Sequence, residues 1–181
     1  DVGLFRAGNR GEAALLQAMK RGYTVEDYRR LVARMRRAIP DVALATDIIV
    51  GFPGETEGHF QNTFDLLSEL RFDTVHVAAY SPRSGTVAAR TLRDDVPPDV
   101  KKERLHKVEA LQERVANEIN AAYQSKVVEV LVEGEKQGKA FGRTRTDKLV
   151  FFLGPARARD LVQVEIEKTS PWSLQGEAIP C

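Results

Sequence analysis

The segment TDIIVGFPGET, Thr46 to Thr56, joins an apolar run directly to two glycines, a proline and a carboxylate. Gly51 and Gly54 allow a backbone to approach a ligand closely, Pro53 fixes the turn between them, and Glu55 can accept hydrogen bonds from a ribose or an amine. A second apolar run ends in YSPRSGT, which offers Tyr80, Ser81, Arg83, Ser84 and Thr86. The planar guanidinium of Arg83 suits a carboxylate or a phosphate. Both charged residues also have plainer roles, since Glu55 favours a helix N-terminus by its charge and Arg83 can simply pair with a neighbour. If the two runs are adjacent parallel strands, the loops share one pocket at the strand ends, where α/β proteins place their sites.

A different chemistry is concentrated further along. From Lys136 to Arg159 the chain carries Lys136, Lys139, Arg143, Arg145, Lys148, Arg157 and Arg159 against Asp147 alone, although the net charge of the whole chain is only +1. Phe141, Phe151 and Phe152 are interleaved with these cations. Cations that neutralise phosphates, with an aromatic ring to stack a base, form the usual surface for single-stranded RNA. Because Leu149, Phe151 and Leu153 share one strand face, at most one of the adjacent phenylalanines is exposed, and the other belongs to the core.

The elements that must hold these groups follow from periodicity. Thr24 caps a helix whose face is Tyr28, Leu31, Val32, Met35 and Ile39, and Pro40 ends it. A buried strand over Val42 to Val50, a helix with Phe60, Phe64, Leu67 and Leu70 on one face, and a strand over Phe72 to Tyr80 come next, an order that predicts a parallel sheet. Two strands are too few for a barrel, so the unit reads as incomplete. Pro97 and Pro98 open a long helix with Leu105, Val108, Leu111, Val115 and Ile119 as its stripe. Thereafter the period becomes two, with strands expected at 127 to 133, 139 to 146, 148 to 153, 161 to 168 and 173 to 179, the pattern of a small antiparallel OB-like barrel.

Composition narrows the function classes. The 181 residues, 43% hydrophobic and 29% charged, suit a globular core, with no run long enough to span a membrane and no signal peptide, so a cytoplasmic protein is expected. The single cysteine, Cys181, cannot make an intrachain disulfide or a multi-cysteine metal site. His59, His76 and His106 have no mutual metal-ligand spacing and read as structural. A chain that starts at Asp1 reads as a fragment or a processed product.

The run MKRGYT, then TDIIVGFPGET, YSPRSGT, KKERL from Lys101 and GRTRTDKLV, in that order, resembles the radical S-adenosylmethionine methylthiotransferases from about Leu15 onward. The resemblance implies part of a (β/α) radical-SAM barrel with a linking helix over residues 1 to 125. A TRAM domain of OB-like build would follow over 126 to 181. It implies S-adenosylmethionine and two [4Fe-4S] clusters in the full enzyme, which inserts a methylthio group at adenine C2 of a tRNA nucleoside. Gly51, Pro53, Gly54, Glu55, Tyr80 and Arg83 would line the S-adenosylmethionine pocket, and Lys139, Arg143, Arg145 and Lys148 would hold tRNA. GRTRTDKLVFF looks most like the MiaB type, which acts on isopentenyladenosine beside the anticodon. The chain departs from the family in lacking the CxxxCxxC motif and the amino-terminal domain that carries the second cluster. At Asn9, Arg10, Gly11 and Glu12 only the glycine of a QSGS-like turn is kept. The chain alone is therefore expected to bind no cluster stoichiometrically and to be inactive without its missing amino-terminal half. Two other readings stay open: a non-enzymatic RNA-binding module, and a methylthiotransferase that acts on a ribosomal protein.

Overall fold

The computed structural model describes residues 24 to 83 and 85 to 179. The MKRGY run, the turn at Asn9 to Glu12, Ser84 and Cys181 lie outside them. The chain forms two compact units, Asp1–Gln112 and Glu113–Cys181.

In the first unit, α1 (Val25–Ala38) starts at a reciprocal cap in which Asp27 N donates to Thr24 Oγ1 and Thr24 N donates to Asp27 Oδ2. The strand β1 (Ala45–Val50) then leads into α2 (Glu57–Leu70), and β2 (Thr74–Ala79) into the short α3 (Val87–Thr91). β1 and β2 are parallel and in register from Ala45 opposite Thr74 to Val50 opposite Ala79. Both strands start later than periodicity predicts, because Asp73 ties off the entry. Its carboxylate accepts from Leu44 N at 2.9 Å and its own amide donates to Leu44 O at 2.9 Å, which spends the ladder positions before Ala45 and Thr74. Thr46, Ile48 and Val50 are buried on one face of β1, with Phe60, Leu66 and Phe72 in the same unit's core. β2 is only half-buried, and His76, Ala78 and Ala79 are exposed. Apolar strand residues in that state are those of a sheet with two strands among the described residues.

The helix α4 (Pro98–Ala121) begins at the expected prolines, and the boundary between the units falls inside it. Within the first unit it buries Val108 and Leu111, and Gln112 Nε2 donates to Asp73 O at 2.9 Å.

The second unit is a closed five-stranded barrel in the order β3-β4-β5-β7-β6, with β6 pairing back on β3. Its strands are β3 (Val127–Lys136), β4 (Lys139–Thr144), β5 (Leu149–Leu153), β6 (Leu161–Thr169) and β7 (Leu174–Ala178). All five lie where alternation predicts them, and only the β5–β7 pair is parallel. The interior is Val130, Val132, Ala140, Val150, Phe152, Val164, Ile166 and Leu174. Complete burial of Phe152 contributes on the order of 2 kcal/mol. Gly142 and Gly176 let the strands close: a Cβ at Gly142 would lie 2.1 Å from Leu131 O, and one at Gly176 1.9 Å from Glu165 O. The order and the single parallel pair are those of an OB-type barrel. Among the described residues no helix is long and apolar enough to cross a membrane.

Candidate functional site

The parallel register brings the two strand-end loops together. Tyr80 N donates to Val50 O at 2.8 Å, so the loop beginning at Gly51 and the one beginning at Tyr80 leave the sheet side by side. Phe52 and Pro53 are buried in the first loop, and the Phe52 ring meets Tyr80 edge-on with centroids 5.0 Å apart. The amides of the two glycines in this loop are engaged by carboxylates of the protein. Gly51 N donates to Glu55 Oε1 at 2.7 Å and Gly54 N donates to Asp95 Oδ1 at 2.8 Å.

What closes on Gly51 is the opening turn of α4. Gly51 has φ +70°, and a Cβ there would lie 2.3 Å from Cγ of Lys101. Lys101 Nζ donates to Asp94 at 2.6 and 2.7 Å and to Tyr80 O at 3.3 Å, and sits 5.3 Å from the Tyr80 ring centroid. One turn on, Arg104 Nη1 donates to Glu55 Oε1 at 2.9 Å, Arg104 Nη2 donates to Glu57 at 3.0 Å, and the guanidinium lies 5.4 Å from the Phe60 centroid. The Arg104 and Glu55 side chains are only 5% and 7% exposed. A pair that far from water holds its geometry strongly, because losing either partner strands a buried charge.

Sequence reasoning placed Glu55 at this site but missed Lys101, Arg104, Asp94 and Asp95. The signal for Lys101 and Arg104 was the KKERL helix opening, where they stand three apart and so share a helix face. Arg83 is exposed, and its carbonyl accepts from Thr86 N and Oγ1 at 3.2 and 2.8 Å. Among the described residues nothing engages its guanidinium. Tyr80 is half-buried. Of the six expected cofactor residues, Gly51, Pro53, Gly54 and Glu55 form the first loop, Tyr80 packs against Phe52 and Lys101, and Arg83 is exposed. His59 Nδ1 accepts from Thr56 N as part of the α2 cap, as a structural histidine does. No group of three or more potential metal ligands occurs among the described residues.

The outer face of β4 carries two of the expected cations, Lys139 and Arg143. Lys139, Phe141 and Arg143 alternate outward along β4, and the Phe141 and Phe151 rings lie 6.1 Å apart across the β4–β5 pair. Beside them an open groove of about 270 Å³ is lined by Lys136, Gln137, Lys139, Phe151 and Gln175. Phe152 is fully buried and Phe151 is not, as the strand parity requires. The cations are less free than a linear count suggests. Arg145 pairs with Glu129 at 2.8 Å, and Arg143 lies 3.8 Å from Glu133 and 3.4 Å from Asp147. Lys148 is 9% exposed, with its backbone exchanging hydrogen bonds with Thr144, and of the four it is the least available to a partner.

Comparison with known proteins bears on both units. The Radical SAM superfamily model matches residues 6–67 and the TRAM domain model residues 121–179. Over 170 residues the chain is 54% identical to the tRNA-2-methylthio-N(6)-dimethylallyladenosine synthase of Chloroflexus aurantiacus, covering 92% of this chain and 36% of that protein. Proteins of the same name from Dehalococcoides mccartyi and Roseiflexus are 48% and 52% identical over 93% and 92% of the chain. The chain thus joins a Radical SAM superfamily segment to a TRAM domain and is similar to these synthases over nearly its whole length. It spans 36 to 41% of the length of these three relatives. The TRAM match covers the whole OB-type barrel, and the Radical SAM match runs through β1 and the loop that follows it.

Proposed function

We propose that this chain is the carboxy-terminal part of a cytoplasmic tRNA methylthiotransferase that adds a methylthio group to isopentenyladenosine near the anticodon. Residues 1 to 125 would complete a radical-SAM barrel together with an amino-terminal half, and residues 126 to 181 would grip tRNA. The observation that carries this reading is 54% identity over 92% of the chain to a protein named for that product. The basic, aromatic face of the barrel supports it from the side of the substrate.

The fit to the cofactors is uneven. Arg83 has an uncommitted guanidinium for a carboxylate, and Tyr80 a half-buried ring and hydroxyl, so these two would hold the amino-acid and adenosyl ends of S-adenosylmethionine. Gly51, Pro53, Gly54 and Glu55 would set the shape of the wall. The two [4Fe-4S] clusters do not fit this chain: one cysteine cannot replace the three of a CxxxCxxC site, and their ligands would come from the amino-terminal half. When bound, S-adenosylmethionine and the clusters would supply the radical and sulfur chemistry. The residues present would position substrate and cofactor and keep water away, and the chain alone would be inactive.

Binding of the isolated chain to an anticodon stem-loop RNA at several salt concentrations tests the substrate side. Lys139, Arg143 and Arg145 would each neutralise a phosphate, so Arg143→Ala with Arg145→Ala should lower the slope of log affinity against log salt by about 1 to 2. Wild-type chain that does not retard the RNA at low salt contradicts the reading. Reconstitution with iron and sulfide tests the cofactor side, where a stoichiometric cluster absorbance from this chain would overturn it.

A further inference from the structure

The connection from β6 to β7 is held in one conformation by a dense set of hydrogen bonds. Ser170 N and Ser170 Oγ donate to Ser173 O at 2.9 and 2.8 Å, and Ser173 N donates back to Ser170 Oγ at 3.0 Å. From below, the buried Asn120 donates through Nδ2 to Ser170 O at 2.8 Å and to Pro171 O at 3.1 Å. At the tip of this fixed turn stands Trp172, 61% exposed and the only tryptophan in the chain. A large aromatic on a rigid support suits binding, since little side-chain or loop entropy remains to be lost.

The position of the turn indicates what it meets. In the parallel β5–β7 pair Val150 stands opposite Leu174, so the turn that precedes β7 and carries Trp172 lies at the same end of this pair as the turn from Thr144 to Lys148 that precedes β5. Lys148 ends the turn that follows Arg143 and carries Arg145, with Thr144 N donating to Lys148 O at 3.0 Å. Trp172 thus marks one end of the β4–β5 face, while the Lys136 to Lys139 hairpin and its groove mark the other. OB-type barrels bind oligonucleotides across this face, between these two loops.

We propose that Trp172 is a base-stacking residue, which receives an unstacked nucleobase of a single-stranded RNA segment whose phosphates run past Arg143 and Arg145. The inference rests on the RNA-binding reading given above and adds to it a named contact and a single-stranded target. Stacking is indifferent to base identity because every base has a π face, so the contact gives affinity and register more than sequence choice.

The lone tryptophan makes the test direct. The chain is titrated with oligoadenylate RNA and with an anticodon stem-loop RNA while indole emission is followed, in parallel with emission-independent binding of Trp172→Phe and Trp172→Ala. Saturable quenching is expected. Affinity should fall roughly 5- to 100-fold in Trp172→Ala and much less in Trp172→Phe, and the salt slope should stay unchanged because no phosphate contact is lost. RNA binding with unaltered emission and equal affinity in Trp172→Ala would overturn the inference and leave RNA binding standing. Failure of the wild-type chain to bind either RNA would remove both. A blue shift with anionic lipid vesicles but not with RNA would assign the turn to a membrane surface instead. Because Trp172 is exposed, the variants should keep the wild-type melting temperature, and the emission result needs no variant at all.

Discussion

The stem of Lys101 fills the space that any side chain at Gly51 would need, its Cγ lying 2.3 Å from where a Cβ would be. Two requirements therefore meet at one residue: a left-handed backbone, with φ +70°, and the absence of a Cβ. Gly54 shares only the first, with φ +79° and no atom within 4 Å of the added carbon. Gly51→Ala should accordingly cost about 2 to 4 kcal/mol and Gly54→Ala about 1 kcal/mol, which urea unfolding of the two variants would compare. Equal costs would mean that the contact with Lys101 does not constrain the loop.

Arg104 is the other half of the same clasp. Arg104→Gln leaves the Glu55 carboxylate, 7% exposed, without its guanidinium, and should destabilise the first unit by about 3 to 5 kcal/mol. Arg104→Lys should recover only part of this, since an ammonium cannot reach Glu55 and Glu57 in the fork geometry seen here. Amide exchange adds a local readout. The Gly51 amide, which donates to Glu55, should lose protection in Arg104→Gln before the amides of β1 do.

In the barrel the demand for glycine comes from the backbone itself. An alanine at Gly176 would place its Cβ 1.9 Å from Glu165 O, and no rotamer change can relieve a clash with a carbonyl. Gly176→Ala should cost more than about 3 kcal/mol and lower the melting temperature of the chain. Gly138→Ala, in the open β3–β4 hairpin at φ +75°, should cost only about 1 kcal/mol.

The cap of α1 gives a pH signature. Hydrogen bonds from the Thr24 hydroxyl and amide, followed by the Arg30 guanidinium, hold the Asp27 carboxyl down from an ordinary 3.8 to about 2. A pKa depressed by folding stabilises the protein above the unfolded value, and the contribution is lost as pH falls through the folded one. The cap should therefore weaken between about pH 4 and pH 2. An Asp27→Asn variant should show a shallower acid limb there, and Asp27 carbon shifts followed by NMR would check the midpoint.

Much of the architecture was legible because periodicity reports burial. The alternation of Val162, Val164 and Ile166 against Gln163, Glu165 and Glu167 fits a half-buried strand, as β6 is, whereas the apolar run through Ile48 and Val50 suggested a strand covered on both faces and β1 is fully buried on one face only. The chemistry was less legible, since charges act across elements. Lys101 and Arg104 read as ordinary helix-opening cations, and nothing local shows that they turn inward onto Gly51 and Glu55. Counting cations along Lys136 to Arg159 overlooked Glu129 and Glu133, which the neighbouring strand brings against Arg145 and Arg143. The burial of Lys148 follows from the turn it closes onto Thr144, a contact that no composition count contains.

Service of this chain in a tRNA methylthiotransferase, as proposed, is decided by the product formed. A full-length protein carrying this chain, with its clusters reconstituted, is incubated with S-adenosylmethionine, a reductant and tRNA containing isopentenyladenosine, and the digested nucleosides are analysed by mass spectrometry. Conversion of isopentenyladenosine to its methylthio derivative is expected, strongly reduced in an Arg83→Ala protein. Isopentenyladenosine recovered unchanged from a reaction in which S-adenosylmethionine is cleaved would contradict it.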